Sequence, residues 1–118
     1  MAVTSQRTGS ITFSGDVTAT ISLAAVSNTQ APGAVSILSL TTGANTITLP
    51  TGGSTPIGAV IIPPPGNAQT LTLKGVSGDT GIALHKTNPT IVTFDNPAPA
   101  NFVLTAGAVV TGLRIVWT

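Results

Sequence analysis

Lys74, Asp79, His85 and Lys86 are four of the eight ionisable side chains in this 118-residue chain, and they fall within one thirteen-residue stretch. A histidine near carboxylates and hydroxyls is the raw material of a hydrolytic triad, in which the ring takes a proton from Ser or Thr and a carboxylate orients it. Residue types allow Ser77 or Thr80 as nucleophile, His85 as base, and Asp79 or Asp95 as the orienting group. The pattern around them argues otherwise. There is no G-x-S-x-G elbow, and "SGDTG" (77–81) has the chemistry of a turn: Gly78 and Gly81 supply permissive backbone while Asp79 accepts from a nearby amide. By alternation Ile82, Leu84 and Lys86 share one strand face, and Ala83 and His85 the other. The stretch therefore reads as a hairpin loop and a strand end with solvated charges. Asp79, His85 and Lys86 stand as loop contacts for a partner, and no residue is assigned to catalysis.

Other chemistries find less to work with. One histidine, no cysteine and only Asp16, Asp79 and Asp95 cannot assemble a structural zinc site, and no calcium-loop pattern is present. No metal or other cofactor is expected. A phosphate cradle would need a Gly-rich loop between strand and helix, which is absent. Single-stranded nucleic acid would need aromatics inside a basic groove. Phe13, Phe94, Phe102 and Trp117 are the only aromatics, the four basic residues are scattered, and the net charge is +1, so no nucleic-acid partner is expected. Sugar-binding modules commonly offer exposed Tyr and Trp faces. This chain has no Tyr and a single Trp, whose alternation with Leu113 and Ile115 places it in a core or an interface.

Charged residues are 6% of the chain, against about 25% in ordinary soluble domains. A membrane protein is the first thing such sparseness suggests, but a spanning helix needs about 20 consecutive apolar residues. "GAVIIPPPG" (58–66) runs into three prolines, and "NFVLTAGAVVTGLRIVWT" (101–118) is broken by Thr105, Thr111 and Arg114. The N-terminal "MAVTSQRTGS" has no apolar run for a signal peptide. The expectation is a soluble, unprocessed chain made in the cytosol, without a membrane partner. Its polarity comes from 21 Thr and 9 Ser, a composition suited to solvated strand faces. With so little charge there is little self-repulsion to oppose association.

The elements that must position these residues are strands. In "ITFSGDVTATISL" (11–23) Ile11, Phe13, Val17, Ala19, Ile21 and Leu23 alternate with Thr, Ser and Asp, with Gly15 completing the apolar row. Gly15 beside Asp16 marks either a bulge or a turn that splits the segment in two. Further strands are expected at Ala34–Leu40, Asn45–Leu49, Gly58–Ile62, Gln69–Lys74, Ile82–Lys86, Thr90–Asp95, Asn101–Thr105 and Val109–Thr118, separated by Gly-, Pro- and Asn-rich turns. Pro63–Pro65 cannot donate to a ladder and must end the strand before them. The fold expected is all-β: an antiparallel β-sandwich or jelly-roll-like domain of about eight to nine short strands over residues 11–118, preceded by a loose arm at residues 1–10. In the last strand apolar residues occupy both registers. Val109, Val110, Ile115 and Trp117 are accordingly expected in the core or at a subunit interface.

"TITLPTGGSTPIGAVIIPPPGN", "LTLKGVSGDTGIALHKTNPTIVTFD" and "FVLTAGAVVTGLRIVWT" resemble small structural proteins of tailed-bacteriophage virions, over roughly residues 45–118. The resemblance implies an all-β subunit of a ring or trimer, serving in capsid decoration, the tail or the baseplate. Its partners would be further copies of itself and other virion proteins. It brings no catalytic residues. The alternative is a β-sandwich module that binds a glycan or another cell-surface ligand through the loops Gly75–Gly81 and Lys86–Pro89.

Overall fold

The computed structural model describes residues 3–13, 19–31, 35–50, 55–95 and 97–118; between 3 and 31 it describes the backbone, and of the side chains only the exposed Gln6 and Ser10. The described residues form ten strands and no helix: β1 (Val3–Phe13), β2 (Ala19–Ala31), β3 (Val35–Leu40), β4 (Gly43–Thr48), β5 (Gly58–Ile62), β6 (Leu71–Lys74), β7 (Ile82–Ala83), β8 (Thr90–Thr93), β9 (Asn101–Ala106) and β10 (Val110–Trp117). β5 ends at Ile62, where Pro63 removes the next ladder donor.

The last eight strands form two antiparallel four-stranded sheets, ordered β3-β10-β5-β8 and β4-β9-β6-β7. Outer strands pair with outer and inner with inner: β3 with β10, β4 with β9, β5 with β8, β6 with β7. That nesting is one long four-deep hairpin. It is rolled so that every link except β6–β7 crosses between sheets, and the β10–β5 and β9–β6 ladders join the turns of the roll. The domain is a jelly roll, the eight-stranded double-sheet solution to unpaired edges. The expected sandwich is therefore present, in its jelly-roll form.

Between the sheets lies a single apolar core. Leu40, Ala59, Ile61, Val110, Leu113, Ile115 and Trp117 come from one sheet; Ile47, Leu71, Phe102, Leu104 and Ala106 come from the other. Trp117 is its largest side chain. Its ring stands 6.0 Å from Phe102, which in turn lies 6.4 Å from Phe94, both pairs tilted. The indole Nε1 donates to Ser36 Oγ at 2.9 Å, so the one polar atom of the largest core side chain has a partner. Val110, Ile115 and Trp117 are thus core residues of the chain itself.

Val109, expected in the core or at an interface, lies outside the core. It is 63% exposed, in the turn before β10. The cause is a bulge. The β3–β10 register shifts between Thr111 and Leu113, and Gly112 takes φ +86°, a conformation that favours glycine. The extra residue lets Val110 and Leu113 both face inward although they are three apart, which leaves Val109 outside.

β1 and β2 pair only with each other, as a two-stranded ribbon outside both four-stranded sheets. Phe13 lies opposite Ala19 and Ile11 opposite Ile21, so the alternating segment is two strands of one hairpin. Gly15, Asp16 and Val17, which the sequence offered as bulge, turn and strand, lie outside the described residues. β1 also runs through Ser10, so the boundary expected between residues 10 and 11 falls inside a strand. Val3–Ser10 is poor in apolar residues and reads as an arm on its own; its partner in β2 supplies the ladder.

Candidate functional site: a charged loop and two outer faces

The charged stretch is built to hold turns. Asp79 Oδ2 accepts from the Val76 amide at 3.0 Å, and the Asp79 amide donates to the Val76 carbonyl at 3.1 Å, which closes the β6–β7 turn. Gly81 then enters β7 at φ +76°, where a Cβ would stand 2.6 Å from the Leu73 carbonyl oxygen. β7 is shorter than the expected Ile82–Lys86: the Leu84 amide still donates to the Leu71 carbonyl at 2.8 Å, and the chain bends at residues 86–88. His85 Nδ1 caps that next turn, accepting from the Asn88 amide at 2.9 Å and the Thr87 amide at 3.2 Å, with the Thr87 hydroxyl at 3.4 Å. The Lys86 carbonyl is held by Asn67 Nδ2 at 2.8 Å, and the same amide group bridges Gln69.

Asp79, His85 and Lys86 are all exposed, but they are not brought together as a chemical unit. The imidazole nitrogen that a carboxylate would orient accepts backbone N–H groups of its own loop. Asp79 instead borders a groove of about 430 Å3 between the β6–β7 and β8 sides of the sandwich, with Lys74 also on its rim and Leu73, Ile82, Val92 and Phe94 on its walls. His85 is not among the lining residues. No three His, Cys, Asp or Glu side chains group as metal ligands among the described residues.

The outer faces of the two sheets differ in chemistry. On β4-β9-β6-β7 the outward positions include Thr46, Thr48, Asn101, Thr105 and Thr72, with Lys74 and a buried Val103. This is the hydroxyl-rich face that the composition implies. On β3-β10-β5-β8 the register aligns Val35, Val116, Val60 and Ile91 in one row across all four strands. The next row sets Arg114 between Ile37 and Ile62. Six β-branched aliphatics thus occupy one outer face with a single charge among them. Ile37 is 71% exposed, Val35 56% and Ile91 54%.

Sequence reasoning located the core of β10 but missed this face. The signal lay in β3 and β5: "VSILSL" and "GAVII" carry large apolar residues at both parities, as strands covered on both sides do. The fold and its surfaces define a class, a jelly-roll domain with one hydroxyl-rich and one aliphatic outer face. Comparison with protein-family models, with curated proteins and with solved structures finds no match to the chain.

Proposed function

We propose that the protein is a non-enzymatic structural subunit that works as a symmetric homo-oligomer in a tailed-phage particle, as a decoration, tail or baseplate component. The observation that carries the oligomer is the aliphatic outer face of β3-β10-β5-β8. A single chain leaves Val35, Ile37 and Ile91 more than half exposed, on a face that continues through Val60, Ile62 and Val116. Contiguous apolar patches of this kind mark interaction surfaces. The virion placement is supported by the sequence resemblance and by the jelly roll, an architecture recurrent in capsid proteins; it also recurs in lectins, so the fold alone does not choose.

The magnitudes favour more than one contact per subunit. Full burial of a Val or Ile side chain is worth about 1.5–3 kcal/mol, so the three most exposed residues supply roughly 3–5 kcal/mol. Association costs an estimated 4–15 kcal/mol in lost rigid-body freedom. This face alone is marginal, and a stable assembly needs a second apolar surface. Light scattering and negative-stain microscopy of the purified protein test the reading: rings, trimers or another closed multimer are expected, and a strict monomer at high concentration overturns it.

The second reading, recognition of a host-surface glycan, is favoured by the groove beside Lys74 and Asp79. Against it, the one Trp is buried in the core and no Tyr exists to stack on a sugar. Binding on a glycan array that is lost in Asp79→Ala would establish it.

A further inference from the structure

The groove beside Lys74 and Asp79 is an unfilled end of the core. Ladder register fixes which way its walls face. Leu73 of β6 lies opposite the buried Leu104 of β9 on one side and Ile82 of β7 on the other, so all three face the interior. In the facing sheet Val92 of β8 lies opposite the buried Ala59 of β5, and it faces inward too. β7 and β8 are the edge strands of their sheets, and β7 is only two residues long. Its inward-facing Ile82 is therefore left 69% exposed. Leu73, Ile82 and Val92 with Phe94 and Phe102 wall a space of about 430 Å3. Interiors are packed as densely as organic crystals, and an apolar space of this size with a few polar groups at its mouth is the usual form of a small-molecule site.

We infer that this groove binds a small amphiphilic carboxylate, an arylalkyl or medium-chain acid, with its apolar body against Phe94 and Phe102 and its carboxylate at Lys74. The inference is independent of the oligomer reading. Size sets the first limit: at about 30 Å3 for each water-sized group, the space holds roughly ten to fourteen non-hydrogen atoms. The walls set the second. Their five side chains carry no hydrogen-bonding atom, so the polar atoms of the ligand must lie at one end. A sugar would bring hydroxyls against walls that cannot pair with them.

Charge at the mouth sets the third limit, because the two rim charges are not equivalent. Asp79 is committed to its own turn, where Oδ2 accepts from the Val76 amide at 3.0 Å. Lys74 is half-buried, with its Cγ 2.6 Å from the point where a Cβ on Gly81 would stand, so its stem runs beside the mouth. Its ammonium has no ion-pair or hydrogen-bond partner among the described residues. The charge free to meet a ligand is therefore positive.

Phe102 joins the groove to the only tryptophan of the chain, Trp117, at 6.0 Å, so the indole reports occupancy. The purified full-length protein is titrated with phenylbutanoate, followed by Trp117 fluorescence and by amide chemical shifts. Phenylbutanol and phenylbutylamine keep the body and change the head. The expected result is saturable binding of the acid with a Kd of about 1 mM or below, about 2- to 5-fold tighter than the alcohol, and weakest for the amine. The amide shifts should centre on residues 73–82 and 92–94. Lys74→Gln should erase the advantage of the acid over the alcohol without changing Tm. Asp79→Asn, which keeps an oxygen for the Val76 amide, should tighten the acid. Val92→Phe should fill the groove and abolish binding; the Lys74→Gln comparison decides the matter even if that variant does not fold. No saturation by about 10 mM, shifts centred on the β3-β10-β5-β8 outer face, or a preference for the amine that disappears in Asp79→Asn would each overturn the assignment.

Discussion

Replacing Ile37 by Thr separates the two jobs an outer-face residue can have. In the isolated chain Ile37 is 71% exposed and sits on edge strand β3, so its side chain does little for the fold. Thr keeps the β-branch that suits a strand, and exposed substitutions of this kind stay within about 0.5 kcal/mol. In an assembly that covers the β3-β10-β5-β8 face, the same change removes apolar surface from the interface. Full burial of Ile is worth about 2–3 kcal/mol, and roughly two-thirds of it remains to be gained on association, or about 1–2 kcal/mol per contact. The subunit dissociation constant should therefore rise by roughly 5- to 30-fold. Sedimentation equilibrium over a dilution series reads that shift, and thermal unfolding of the dissociated chain reads the fold. Unchanged assembly with a lowered Tm would refute the reasoning, because Ile37 would then be holding the monomer together.

Three further substitutions probe the parts that position these surfaces. Gly81→Ala should destabilise the fold by about 1–3 kcal/mol, since it puts a Cβ 2.6 Å from the Leu73 carbonyl at a positive φ; an unchanged Tm would contradict the turn geometry. Trp117→Phe should cost about 1–2 kcal/mol in chemical denaturation, from the lost bond to Ser36 and the volume left beside Phe102, and a neutral result would place the indole elsewhere. His85→Ala removes the acceptor of two backbone amides in an exposed turn and should cost no more than about 1 kcal/mol, with the native mass unchanged; loss of assembly would make the charged loop part of the interface.

Strand positions were largely legible because alternation and breakers are local signals. Gly58–Ile62 is bounded by its sequence on both sides, and "PGAVSILSLTTG", whose Val35 and Leu38 also fit helical spacing, holds β3. What was not legible depends on residues far apart. The nesting of β3 with β10 and β4 with β9 joins segments more than fifty residues distant, and no local pattern encodes it. The apolar residues in both registers of the last strand had two causes: the bulge at Gly112, which brings Val110 and Leu113 to the same side, and the outer-face position of Val116. The charged stretch was legible in part: Asp79 accepts an amide of its own turn as "SGDTG" implies, whereas the capping of residues 87–88 by His85 was not foreseen. The aliphatic face was hidden because apolar residues at both parities of β3 and β5 do not say which side faces the core.

The account stands on the claim that this chain is built to associate through its aliphatic outer face. The most direct measurement is the native mass of the full-length protein by sedimentation velocity across a wide concentration range. A closed multiple of the 11.7 kDa chain is predicted, dissociating at higher concentration in Ile37→Thr than in the unsubstituted protein. A single species at 11.7 kDa at every concentration would contradict it.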